Sequence, residues 1–257
     1  MKLRPNRFFR FLIAAAALGG CAGPEITQSG GPFSGPAPSA AYLPAPYAAP
    51  QTLHHEVGPA ETLWRISKMY NVDIETLMRA NGLKDPTMIK NGQRLVIPNT
   101  LGPVPVVPLY PSRKWTHIVI HHTATDSGNA RSIDVLHHKR GFWNGLGYHF
   151  LIDNGTNGKW DGQIEVGPRW IKQRDGAHAN ANGMNEHGIG ISLVGNYSES
   201  YVSERSLQSL VYLVETLQRY YQIPDHNVIG HRDVPGKNTE CPGKFFPWAE
   251  FKRRLAA

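Results

Sequence analysis

Two proline-rich stretches limit what this chain can fold into, because proline supplies no backbone donor and interrupts helices and sheet ladders alike. Residues 21–51 are mostly Gly, Pro, Ala and Ser with almost no charge, and residues 99–114 are proline-rich again. Segments of this kind bury too little apolar surface to offset chain entropy. They are expected to act as a tether and a linker. The 257 residues then divide into a leader over 1–20, the tether over 21–51, a small domain over 53–98, the linker over 99–114 and a larger domain over 115–257.

The leader starts basic, continues through the apolar run Phe8 to Leu18 and ends in small residues. That is the pattern of a secretory signal, and it is too short for a bilayer span of about 20 apolar residues. Its end, Leu18-Gly19-Gly20-Cys21, resembles the lipobox of bacterial lipoproteins. The resemblance implies lipidation of Cys21 and attachment to the membrane through a lipid anchor. Ala22 in place of Asp implies the outer membrane, with the protein facing the periplasm. Lys2, Arg4, Arg7 and Arg10 supply four of the seven net positive charges. The body of the chain is therefore only modestly basic and has no Lys/Arg run, which argues against nucleic acid as a partner. The two cysteines, Cys21 and Cys241, sit in contexts that give each its own work, so no disulfide between them is expected.

Between residues 53 and 98 the order is an extended start, a helix from about Thr62 to Tyr70, a second helix from Ile74 to Asn81, and an extended Arg94 to Ile97. Thr62 and Asp73 are suited to cap the two helices. Leu63, Ile66 and Tyr70 recur at helical spacing, and Leu77 faces the same core. The run Val57-Gly58-Pro59-Ala60-Glu61-Thr62-Leu63-Trp64-Arg65-Ile66-Ser67, with Asn81-Gly82-Leu83 and Asn91-Gly92-Gln93-Arg94-Leu95-Val96-Ile97-Pro98, resembles the lysin motif (LysM). The resemblance implies a β-α-α-β module that binds the glycan chains of peptidoglycan. By position, the contacts would come from Gly58 to Thr62 and from Gly82 to Met88.

Ten of the twelve histidines follow Trp115, and such enrichment calls for a metal. Thr116 to Thr123 is an apolar, β-branched run that reads as a buried strand delivering His121 and His122 to its C-terminal end. Further strands are expected over Gly147 to Ile152 and Gly188 to Val194, a short helix over Ser132 to Arg140, and a long helix over Glu204 to Tyr221. In that helix Leu207, Leu210, Val211, Val214 and Leu217 form one apolar face. The segment from Val228 to Gly243 carries His231 and Cys241 ten residues apart across a Pro- and Gly-containing loop. With a third ligand from the first strand, these make a two-histidine, one-cysteine zinc site, and three protein ligands leave the fourth tetrahedral position for water. Adjacent strand residues point to opposite faces, so His121 and His122 cannot easily serve the same ion.

Ile118-Val119-Ile120-His121-His122-Thr123-Ala124, Gly147-Tyr148-His149-Phe150, Gly176-Ala177-His178-Ala179, Gly188 to Asn196, Gly230-His231-Arg232-Asp233 and Cys241-Pro242-Gly243 resemble the N-acetylmuramoyl-L-alanine amidase family, which includes phage lysozyme-type amidases and peptidoglycan recognition proteins. The resemblance covers about residues 115 to 250. It implies a mixed β-sheet flanked by helices, hence an α/β catalytic domain. It also implies Zn²⁺ held by His121, His231 and Cys241, catalytic roles for Tyr148 and Thr239, and stem-peptide substrates met by His178 and Ser192. Some members carry Glu where this chain has Ser192 and Lys where it has Thr239, with Lys237 displaced by two residues. Ser192 and Thr239 instead resemble the recognition-protein pattern, which leaves the general base unassigned. A binding protein without activity would lack a zinc ligand, and Cys241 argues for an enzyme. A purely structural lipoprotein would leave the His/Cys set unexplained.

Overall fold

The computed structural model describes residues 49–111 and 114–256. The expected signal segment, the lipidation at Cys21 and nearly all of the 21–51 tether lie outside the described residues. Among the described residues no helix is long and apolar enough to cross a membrane.

The small domain has the expected β-α-α-β order: β1 (Gln51–Glu56), α1 (Leu63–Tyr70), α2 (Ile74–Ala80) and β2 (Arg94–Thr100). β1 and β2 pair antiparallel. The side chain of Thr62 accepts from the backbone N–H of Arg65, and that of Asp73 from Thr76, so both helices start where a hydroxyl or carboxylate can satisfy an otherwise unpaired donor. Leu63, Ile66, Tyr70 and Leu77 are buried together with Met69, Leu95 and Ile97.

The larger domain is built on a five-stranded sheet in the order β5-β4-β6-β3-β7, comprising β3 (His117–His122), β4 (Phe150–Asn154), β5 (Asp161–Val166), β6 (Gly188–Leu193) and β7 (Val228–Gly230). β4, β6, β3 and β7 run parallel, and β5 is antiparallel on β4. α3 (Ala130–Lys139) starts two residues earlier than its periodicity predicts, because Asn129 and Ser132 form a reciprocal capping box. The short α4 (Pro168–Ile171) and α5 (Met184–His187) follow. α6 (Glu204–Tyr221) lays its Leu207, Leu210, Val214 and Leu217 stripe on one face of the sheet against Ile118, Ile120, Ile189 and Ile191. α7 (Trp248–Leu255) closes the same core with Phe251.

The segment expected to link the domains is packed against both. Val106 joins the small core, while Val107, Leu109 and Tyr110 join the large one. Trp170 Nε1 donates to the Pro108 carbonyl at 2.7 Å, and Tyr221 Oη donates to the Tyr110 carbonyl at 2.9 Å. Proline-rich backbone carries carbonyls without matching donors, and here aromatic side chains satisfy them.

The domains also meet directly. Arg65 of α1 reaches the Ile164 carbonyl of β5 at 3.3 Å, and Lys159 reaches the Glu56 carbonyl at 2.8 Å. Behind them lies a buried ionic network. Glu61 bonds His55 at 2.7 Å and Arg65 at 3.2 Å, and Lys159 bonds Glu165 at 2.8 Å. Burial alone would raise the Glu61 carboxyl, but His55, Arg65 and Lys159 outweigh it and hold it well below the usual carboxylate range. Asp153 has no opposite partner at bonding distance; burial and the nearby Glu165 drive its carboxyl well above that range. Removing one partner of a buried pair strands the other charge. Lys159→Met is therefore expected to destabilise the folded chain by about 3–5 kcal/mol, read by urea unfolding. A loss below about 1 kcal/mol, the scale of an exposed pair, would show that the junction is not a stabilising contact.

Candidate metal centre

Sheet register brings two histidines together. β3 and β7 are parallel neighbours with Ile120 opposite Gly230, so the next residues, His121 within β3 and His231 just past β7, stand side by side. Their ring centroids are 4.6 Å apart. His231 opens a short 3-10 turn, His231–Asp233, held by the Asp233 carboxylate accepting from the Gly230 N–H at 2.9 Å. The loop that follows folds back, with Arg232 N–H donating to the Cys241 carbonyl at 2.9 Å. That return brings the Cys241 thiol to 3.7 Å from His121 Nδ1. One donor atom from each of His121, His231 and Cys241 falls within 4.8 Å of the others.

His122 points to the opposite face, where its Nδ1 accepts from the Tyr197 N–H at 3.1 Å; its own backbone N–H donates to the Cys241 sulfur at 3.4 Å. The strand alternation that separated the two histidines on paper separates them in the fold.

The surroundings suit a cation. His231 Nε2 is buried without a hydrogen-bond partner, a costly state for a polar nitrogen unless something else binds it. Burial, then the neighbouring His178 and His231, push His121 well below the ordinary histidine value, and burial lowers His231 as well. Both imidazoles are thus in the neutral form that ligates metal. Burial pushes the Cys241 thiol up to about 11, so deprotonating it at neutral pH requires a bound positive charge. Two neutral nitrogens and one thiolate sulfur are a donor set that suits zinc.

Tyr148 lies beside this group, its ring centroid 5.3 Å from that of His121. Burial and the Cys241 sulfur push its phenol up to about 12, with Ser192 pulling the other way. Ser192 sits on β6 directly opposite His121 in register, fully buried, its Oγ without a partner at bonding geometry. The resemblance implied a contact with substrate for Ser192, which here stands beside His121 on the neighbouring strand. Thr239 is half-buried, and its Oγ1 accepts from the Cys241 N–H at 3.2 Å, shaping the turn that presents the thiol.

His178 also lies inside. It is buried and bonds to the far side of His121, with Nδ1 3.0 Å from His121 Nε2. His149 and His137 are satisfied core histidines: each accepts a backbone N–H at Nδ1, from Gly190 and Gly147 respectively, at 2.9 Å. His187 is exposed at the end of α5, away from the group. Asn185 was not singled out by the sequence. Its Oδ1 accepts from the N–H groups of His178 and Ala179 at 2.9 and 3.0 Å, pinning the loop behind His121. No periodicity marks a loop residue of this kind.

Comparison with known proteins matches each of the two domains to a family. The model of a family described as N-acetylmuramoyl-L-alanine amidase matches residues 111–244, and that of the LysM domain matches residues 55–98. Peptidoglycan-recognition protein 2 of Holotrichia diomphalia is 29% identical over 143 residues, covering 52% of this chain and 70% of that protein. Peptidoglycan-recognition protein SC1a/b of Drosophila simulans is 30% identical over 156 residues, covering 54% and 77%. Among solved structures, the N-acetylmuramoyl-L-alanine amidase LysC from Clostridium intestinale URNW is 37% identical, covering 59% of this chain and 91% of that one, with a TM-score of 0.48.

Proposed function

Because the chain belongs to the N-acetylmuramoyl-L-alanine amidase family, we propose that it is a zinc-dependent peptidoglycan hydrolase that cuts the amide between N-acetylmuramic acid and the L-alanine of the stem peptide. The observation that carries this reading is the convergence of His121, His231 and Cys241 with an unpartnered buried nitrogen on His231. Zinc held by these three residues would supply activation of water at neutral pH and polarisation of the scissile carbonyl.

The chain's own residues do the rest. His121 lies in β3 and His231 directly follows β7, so two of the three donors are set by the sheet and the third comes from the loop that bears Cys241. Tyr148, with its phenol proton retained across the neutral range, donates a hydrogen bond to the oxygen that gains charge as the amide is attacked. Thr239 braces the turn bearing Cys241. The LysM module holds glycan chains, and an open depression lined by Gly82, Leu83, Lys84, Met88 and Asn91 offers a surface for them. The Gly58 loop faces the catalytic domain, with Gly58 lying against Glu165. The domains are proposed to follow the division at 53–98 and 115–257. A lipid on Cys21 would hold the enzyme at the outer membrane, facing the periplasm.

Peptidoglycan binding without cleavage is the competing reading, and the intact donor set favours cleavage. Incubating the full chain with purified sacculi is expected to release free stem peptides detectable by mass spectrometry. Stripping the metal with a chelator should stop release, and added zinc should restore it. Undiminished release from metal-free protein would defeat the zinc reading, and no release from zinc-loaded protein would defeat hydrolysis.

A further inference from the structure

The ring of His178 is clamped. The backbone N–H of His178 donates to Asn185 Oδ1 at 2.9 Å, and the ring lies so close to Gly176 and Gly190 that a β-carbon on either would stand 2.2 or 2.4 Å from His178 Cδ2. Only glycine leaves room for an imidazole here. One edge of the ring, at Nε2, is 3.2 Å from the Gly188 carbonyl, and the other, at Nδ1, is 3.0 Å from His121 Nε2.

The directions of these two bonds follow from the chemistry of the groups. A carbonyl oxygen only accepts, so His178 Nε2 carries the hydrogen and donates to Gly188. In a neutral imidazole the other nitrogen is then a bare acceptor. His178 Nδ1 therefore accepts, and His121 Nε2 must carry the hydrogen it accepts. That leaves the lone pair of His121 on Nδ1, the nitrogen facing Cys241 at 3.7 Å. The opposite tautomer of His121 would put a hydrogen where a metal ligand needs a lone pair.

We propose that His178 is a positioning residue: through the relay Gly188 carbonyl, His178, His121 it fixes the tautomer and ring orientation of His121, so that Nδ1 is the metal-binding nitrogen. The inference rests on the zinc reading above and adds to it a residue that touches neither metal nor substrate. Outer hydrogen bonds of this kind fix ligand orientation and raise ligand basicity, and their loss typically costs about 10- to 100-fold in metal affinity or activity.

The test separates hydrogen bonding from space filling. His178→Asn keeps an acceptor oxygen near the position of Nδ1, whereas His178→Gln moves it towards the position of Nε2. Zinc affinity of the full chain, read by competition with a chromophoric chelator, is expected to fall about 10- to 100-fold in His178→Gln and to stay within a few-fold of wild type in His178→Asn. The visible spectrum of the cobalt-loaded protein should shift in the first variant only. Equal zinc affinity in both variants, whether lost or retained, would overturn the proposal. A measurement on the unmutated chain guards against variants that do not fold. Long-range ¹H–¹⁵N correlation in metal-free protein is expected to show the His121 hydrogen on Nε2, and a hydrogen on Nδ1 would overturn the relay. If wild type binds no zinc while that tautomer is observed, the metal reading fails and the relay stands.

Discussion

Cys241→Ala is expected to bring hydrolysis of sacculi to background and to weaken zinc binding by well over the roughly hundredfold that loss of an outer hydrogen bond costs. The thiol is the only sulfur and the only group able to carry negative charge in the three-donor set. Without it, two neutral imidazoles leave the charge of a divalent cation uncompensated in a buried site. The effect should stay local. Cys241 lies in a loop of the catalytic domain, whereas the LysM module closes its own core around Leu63, Ile66, Leu77, Leu95 and Ile97. Sedimentation with insoluble peptidoglycan should therefore be retained while zinc content, measured by atomic emission, is lost. A variant that still cleaves at more than a tenth of the wild-type rate would remove the thiol from the mechanism.

How far the sequence could be read depended on what each element packs against. β3 was legible because Ile118, Val119 and Ile120 are buried on both faces, so the strand is a continuous apolar run. α6 was legible because one face meets the sheet and its apolar residues recur at three and four. β5 was not. Its residues Gln163 and Glu165 are buried against the small domain and its ionic network, Gln163 on Met69 and Glu165 on Lys159, and no periodicity scale recognises a polar residue buried by such partners. β7 escaped because three residues carry no pattern. The segment 99–114 read as a linker because proline content reports what a stretch cannot do alone, whereas its packing depends on Arg65, Trp170 and Tyr221 arriving from elsewhere.

The same distinction applies to the site. Residue type and spacing pointed to His231 and Cys241, and strand alternation separated His121 from His122. The side-by-side placement of His121 and His231 needed the register of β3 on β7, which is a tertiary fact. His178 and Ser192 illustrate the limit. Motif resemblance marked both as part of the site, and a motif records only proximity to the chemistry. Burial and contact geometry add what the motif lacks: His178 lies 3.0 Å from His121 Nε2, and Ser192 is buried opposite His121 on the neighbouring strand.

Tyr148→Phe should separate binding of the metal from stabilisation of the reacting carbonyl. The phenol is not among the three donors, and its ring stacks at a tilt against His121, so removing one oxygen leaves the ligand set and its packing in place. Zinc affinity is expected to be unchanged. Turnover should fall by about 10²- to 10³-fold, the usual consequence of deleting one donor to a developing oxyanion. The loss should appear equally in kcat and kcat/KM, because the bond strengthens only as negative charge builds on the oxygen. The pH dependence has a definite sign. A phenol held up near 12 by burial and by the Cys241 sulfur keeps its proton at neutral pH and loses donor capacity only as pH rises towards that value. The residual activity of the phenylalanine variant should then keep the wild-type pH profile across the neutral range. An altered profile there would mean that Tyr148 titrates during turnover and acts as a base. Activity within a few-fold of wild type would mean that the oxyanion is stabilised by the metal alone.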